Sequence, residues 1–184
     1  RRLELEQILD QLEQALTGAL EDGCVHDAVL AESGAQRDAL WRLRESLPAA
    51  QRHEGASIKH DVSVPVAQIP AFVARATAAV LARVPDGRML VYGHVGDGNL
   101  HFNVSQPANG TPADFLAHTA AIGEAVYGEV RAFRGSISAE HGIGRLKRRE
   151  LAQYKGMAEL ALMRALKGAI DPRGIMNPGK VLPD

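Results

Sequence analysis

Segment 89–104 constrains the fold of this 184-residue chain more than any other. Two runs rich in β-branched and aromatic residues, Met89-Leu90-Val91-Tyr92 and Leu100-His101-Phe102-Asn103-Val104, flank Gly96-Asp97-Gly98-Asn99. Glycine-rich tetrapeptides between strand-forming runs are a β-hairpin signature. A two-residue type I′ turn at Asp97-Gly98 sets Gly96 opposite Asn99, Val95 opposite Leu100 and His94 opposite His101. Directly opposed residues share a sheet face, with Cα atoms about 4.5–5.5 Å apart. Period-2 alternation adds Asn103 to that face, opposite Tyr92. Two imidazoles and an amide therefore project together from an antiparallel pair.

The flanking sequence supplies helices. Leu5, Ile8, Leu9, Leu12, Leu16, Ala19 and Leu20 recur at three- and four-residue steps, predicting a helix over 3–22 that Gly23 ends. Ser33 is placed to cap a second helix carrying Leu40, Trp41, Leu43 and Leu47, with Pro48 as its stop and 48–57 as a mobile loop. Ile58, His60, Val62 and Val64 alternate with polar residues as a half-buried strand closed by Pro65. Further helices are expected over 70–83, 112–133, 145–154 and 157–170, with a short strand over 135–139 and an extended, turn-rich tail over 171–184. Strands joined by a hairpin with helices between them predict an α+β fold with a mainly antiparallel sheet, in one domain.

Composition narrows the function. Lys+Arg 21 against Asp+Glu 22 leaves a net charge of −1, which argues against a nucleic-acid partner held through phosphates. No apolar run reaches the roughly 18 residues of a membrane span. Cys24, the only cysteine, excludes an internal disulfide and a cysteine-based metal cluster, and reads as a small core residue. There is no G-x-G-x-x-G and no P-loop, so the chain carries no recognisable phosphate cradle. A start at Arg1, inside an amphipathic segment, suggests a piece of a longer protein.

The His94 and His101 pair has the spacing of two ligands to one metal ion, and catalytic zinc sites commonly add a carboxylate. Glu140 is the candidate third ligand, because Ser138, Ala139, Gly142 and Gly144 around it leave room for substrate. His141 beside it is the candidate general base, provided the backbone turns there, since neighbours on a strand point to opposite sides. Zinc is expected first, with manganese and iron as alternatives that the same ligands suit. His26, His53, His60 and His118 lack such company and read as structural or solvent-facing. Arg44 and Lys59, on sequence alone, read as snorkelling side chains. Arg145, Lys147, Arg148 and Arg149 read as a solvated helix face.

These blocks resemble a known family. Gly93-His94-Val95-Gly96-Asp97-Gly98-Asn99-Leu100-His101-Phe102-Asn103-Val104 and Ser138-Ala139-Glu140-His141-Gly142-Ile143-Gly144 look like the C-terminal domain of FAD-linked oxidases. Leu40-Trp41-Arg42-Leu43-Arg44-Glu45 and the tail Asp171-Pro172-Arg173-Gly174-Ile175-Met176-Asn177-Pro178-Gly179-Lys180 match the same family. The resemblance runs from about Asp22 onward and is nearest to the D-2-hydroxyglutarate, glycolate and D-lactate dehydrogenases. It implies a ferredoxin-like substrate-binding cap whose partner, an FAD-binding domain, holds most of the flavin. By the family's pattern His94, His101 and Glu140 match metal ligands, His141 the base and Asn103 a substrate contact. Arg44 and Lys59 match residues that hold the substrate carboxylate, and Asn177 and Lys180 lie in a segment that approaches the flavin. Where the 2-hydroxyglutarate enzymes place a threonine that touches substrate, this chain has Pro48, which offers neither hydroxyl nor N–H.

The expected activity is the FAD-dependent oxidation of a D-2-hydroxy acid to a 2-oxo acid, with this chain binding substrate and metal. The expected location is cytoplasmic, at a membrane only through an electron acceptor, with homodimerisation left open. A stand-alone hydrolase or lyase using the same two histidines and Glu140 is the alternative. A non-catalytic binding module is a third reading.

Overall fold

The computed structural model describes residues 2–94 and 96–183, with side chains from residue 6 onward. Val95, expected opposite Leu100, and the side chain of Leu5, expected on the first apolar stripe, lie outside the described residues. The chain divides into two compact units, Arg1–Pro48 and Ala49–Asp184.

The first unit contains helix α1 (Arg2–Glu21) and most of helix α2 (Gly34–His53). Gly23 ends α1 as expected: at φ +69° it turns the chain so that Cys24 and Val25 both donate to the Ala19 carbonyl. That turn also leaves Cys24 exposed, contrary to the core position expected for it. Ser33 caps α2 through Oγ, which accepts the N–H of Gln36 at 3.2 Å. Pro48 does not stop this helix, and the expected loop begins only after His53. The reason lies in the next turn, where Gln51 is buried and bonded to Asn103 and Ser105. Those contacts hold the helix past a residue that removes one of its N–H groups.

The second unit is α+β. Strand β1 (Ser57–Ser63) is followed by a 3₁₀ turn and helix α3 (Ile69–Leu81). Strands β2 (Arg88–His94) and β3 (Asn99–Ser105) form the hairpin, and the antiparallel sheet has the order β1-β3-β2. Helices α4 (Pro112–Ala117) and α5 (Thr119–Ala132) replace the single helix expected over 112–133. They part at His118, where the Thr119 hydroxyl bonds back to the Leu116 carbonyl at 2.6 Å. The strand expected over 135–139 is reduced to one bridge, Ser63 to Ser136, on the outer side of β1. The N–H groups of Ala139, Glu140 and His141 turn instead to the Asp61 carboxylate. In chain order this is the β-α-β-β-α-β arrangement of ferredoxin-like folds, its last strand shrunk to that bridge. Helices α6 (Arg148–Tyr154) and α7 (Met157–Ile170) follow, α6 starting three residues later than expected.

Alternation along β1 and β3 sorts the sheet into two faces. Ile58, Val62, Leu100, Phe102 and Val104 meet Phe72, Ala76 and Val80 of α3 and Ile122, Val126 and Val130 of α5 in one buried core. Each fully buried Val, Leu, Ile or Phe side chain among them contributes about 1.5–3 kcal/mol by leaving water. The opposite face carries Lys59, Asp61, Tyr92, His94, Asn99, His101 and Asn103, four of the candidate residues among them.

Candidate metal centre

The hairpin register differs from the expected one by two residues, which preserves every face. His94 pairs with Asn99, Tyr92 with His101, and Leu90 with Asn103. The connection is the four-residue segment 95–98 instead of a two-residue turn. A type I′ turn needs positive φ at both central residues, and only Gly98, at +77°, has it. Gly98 also accepts the Val64 N–H, and a Cβ there would sit 2.0 Å from the Val64 carbonyl oxygen. Docking of the loop on Val64 therefore selects its length. His94 and His101 are diagonal neighbours, ring centroids 6.4 Å apart, not directly opposed as expected.

Glu140 arrives from the segment after the Ser136 bridge. One carboxylate oxygen stands 3.6 Å from Nε2 of His94, and ligand atoms of His94, His101 and Glu140 all lie within 4.8 Å of one another. Tetrahedral zinc with ligands at about 2.0–2.1 Å spaces those atoms about 3.3 Å apart, so small side-chain movements close the set. The three side chains are partly exposed, so solvent reaches the space between them. Asn99, buried and directly opposite His94, donates its amide N–H to Glu140. Outer partners of this kind fix the orientation of a metal-binding carboxylate. The donor set thus fits a divalent ion.

Asp61, His101 and His141 form a second group within the same limit. Asp61 is a poor ligand because its oxygens are already occupied. They accept the Ser138 hydroxyl at 3.2 Å and the N–H groups of Ala139, Glu140 and His141 at 3.1, 3.0 and 2.8 Å. Burial pushes the Asp61 carboxyl up, but the N–H groups of His141 and Glu140, with the nearby His141 and Lys147, hold it below the usual carboxylate range. His141 itself is largely exposed, its Nδ1 3.9 Å from Asp61 and its ring 6.1 Å from that of His101.

The other candidates divide. Lys59 is exposed on the same sheet face, in register with Asn103. Asn103 is buried, and its amide nitrogen donates to Gln51 at 2.9 Å. Arg44 lies on α2 within the first unit. Asn177, at φ +47°, and Lys180 line a groove of about 340 Å³ against α7, with Leu166, Ile170 and Met176. The tail is not extended as expected. Asp171 gathers the N–H groups of Ile175 and Met176 into a turn, and Val181 donates to the Gly144 carbonyl at 2.7 Å. Lys147 is likewise no solvated residue, since its ammonium bonds the Ile137 carbonyl at 2.7 Å.

Two contributors escaped the sequence reading. Asp61 occupies an outward step of an alternating strand, the ordinary pattern of a solvated residue. Asn99 lies inside the hairpin motif, where an asparagine ordinarily serves the turn. Among the described residues, no helix is long and apolar enough to cross a membrane.

The model of the FAD linked oxidases, C-terminal domain, matches residues 4–181. The chain is 39% identical over 175 residues to a D-2-hydroxyglutarate dehydrogenase of Stutzerimonas stutzeri, covering 94% of this chain and 38% of that protein. To one of Xanthomonas citri pv. viticola it is 41% identical over 167 residues, 91% of this chain and 35% of the relative. To the mitochondrial D-2-hydroxyglutarate dehydrogenase of Danio rerio it is 40% identical over 177 residues, 95% and 32% respectively. The chain therefore spans about a third of the length of these curated relatives. With a family match running almost end to end, the chain belongs to the C-terminal domain family of the FAD-linked oxidases.

Proposed function

We propose that this chain is the substrate- and metal-binding domain of an FAD-dependent dehydrogenase that oxidises a D-2-hydroxy acid to the 2-oxo acid. The observation that carries the proposal is the meeting of His94, His101 and Glu140 within ligand distance, beside an accessible His141. In this reading His94, His101 and Glu140 hold a divalent ion, zinc first. The relatives' name makes D-2-hydroxyglutarate the first acid to test, although Pro48 withholds the hydroxyl that the family resemblance led one to expect. The hydrolase or lyase alternative finds no support among these relatives.

When bound, the metal would supply Lewis acidity toward the 2-hydroxyl, and FAD would supply the two-electron acceptor for the hydride of C2. The chain's own residues do the rest. Lys59, exposed on the site face, attracts a substrate carboxylate, a role that the family resemblance also implies for Arg44. His141 turns Nδ1 toward Asp61 and leaves Nε2 to take the hydroxyl proton as C2–O becomes a carbonyl. The imidazolium so formed has the Asp61 carboxylate as a neighbour, which offsets the charge. FAD would be held mainly by a separate domain, with Asn177 and Lys180 contributing from the tail, whose Val181 bonds the loop just after His141. A cytoplasmic location, with a membrane reached only through the electron acceptor, accompanies this reading.

The test is anaerobic flavin reduction by the flavin-bearing parent enzyme with a panel of D- and L-2-hydroxy acids. Bleaching by a D-acid, abolished by a chelator, supports the proposal. A parent enzyme whose flavin no hydroxy acid reduces refutes it.

A further inference from the structure

Adjacent residues of an extended strand point to opposite sides, so Glu140 and His141 cannot both serve one site without a curled backbone. Here the curl has a visible cause. Three consecutive N–H groups, of Ala139, Glu140 and His141, converge on Oδ2 of Asp61, joined by the Ser138 hydroxyl. Successive N–H groups reach one anion only when the backbone between them folds into a concave nest. Gly142, at φ +75°, continues the turn. The acceptor is itself fixed: Asp61 is 2% exposed and lies directly across the sheet from His101. Lys147 holds the loop's entry, bonding the Ile137 carbonyl at 2.7 Å and reaching the Asp61 carbonyl at 3.4 Å.

We propose that Asp61 is the positioning residue of the centre, folding segment 138–141 so that Glu140 and His141 face the imidazoles of β2 and β3 together. The inference rests on the metal-binding reading of His94, His101 and Glu140. It extends that reading to a residue that touches neither metal nor substrate. Asp61 acts through the loop backbone, so its loss changes the geometry of the donor set before it changes the identity of any ligand.

The test compares the full 184-residue chain with its Asp61→Asn variant, using cobalt(II) as a visible probe and far-ultraviolet circular dichroism as the control for folding. The isosteric amide can set its oxygen in the Oδ2 position, but it carries no charge to gather four donors, and its N–H₂ then replaces the Oδ1 that the Glu140 N–H approaches at 3.2 Å. The folded variant is expected to bind cobalt about 10–100-fold more weakly, with an altered visible spectrum. A role confined to stability would lower the melting temperature and leave cobalt affinity and spectrum unchanged, and that result overturns the proposal. Should the variant not fold, amide hydrogen exchange in the wild-type chain decides. Protection of the Ala139, Glu140 and His141 amides by about 100-fold or more supports the proposal, and exchange at random-coil rates overturns it. A wild-type chain that takes up no cobalt refutes the metal reading instead, and the same amides still judge Asp61.

Discussion

His60 makes the domain acid-sensitive by an amount that can be worked out in advance. Its ring is buried on the core face of β1, with Nδ1 3.1 Å from the Phe102 carbonyl and the Tyr127 ring edge-on at 5.3 Å. Burial pushes its pKa down from 6.5 to about 4; the bond to Phe102 raises it, and the charge of Lys147 lowers it further. A depressed histidine is bound neutral in the native state, while the unfolded chain takes up a proton once the pH falls below about 6.5. Stability is therefore full above pH 6.5, is lost as the pH falls toward 4, and levels off below that. At about 1.4 kcal/mol per pH unit, the loss is about 2 kcal/mol at pH 5 and about 3 kcal/mol at pH 4. That is a large share of the roughly 5–15 kcal/mol a domain possesses. Urea unfolding at pH 7 and pH 5 measures it, with His60→Gln as the comparison, since a glutamine amide can still donate to the Phe102 carbonyl. The variant is expected to be less stable at pH 7 but to lose about 2 kcal/mol less than wild type on going to pH 5. Carboxylates titrate in both proteins and cancel in the difference. Parallel losses in the two proteins would refute the reasoning.

Four further outcomes follow from the geometry. A Cβ at Gly93 would stand 2.0 Å from the Asn99 carbonyl oxygen, so Gly93→Ala should pry β2 from β3, cost about 3 kcal/mol or more in urea unfolding and abolish metal uptake. His94→Ala and His101→Ala should strip the metal, measured by elemental analysis. His141→Ala should keep it while slowing flavin reduction in the parent enzyme about 10²–10⁴-fold. Asp171 ties the tail through Lys167 at 2.6 Å and the N–H groups of Ile175 and Met176, so Asp171→Ala should speed tryptic cleavage after Arg173.

Local chemistry makes much of this legible in the sequence. Period-2 alternation in Ile58, His60 and Val62 gave the core face of β1, and the hairpin put His94 and His101 on one face even though their register was off by two. Parity survives an even shift, so the two histidines stay on one face despite the different turn. What escaped depended on contacts far apart in sequence. Pro48 reads as a helix stop until Gln51 finds Asn103 and Ser105. The Gly96–Asn99 turn reads as two-residue until Gly98 meets Val64. Residues 138–141 read as a strand until Asp61 takes their N–H groups, and an isolated aspartate on an alternating strand carries no local sign of that duty.

The most direct measurement is an anomalous difference map from crystals of the chain grown with zinc, recorded at the zinc absorption edge. A single strong peak is expected, bounded by His94, His101 and Glu140 at about 2.0–2.2 Å from each ligand atom, with the His141 ring beside it and uncoordinated. A peak held instead by Asp61, His101 and His141, or no peak between the two histidines of the hairpin, would contradict it.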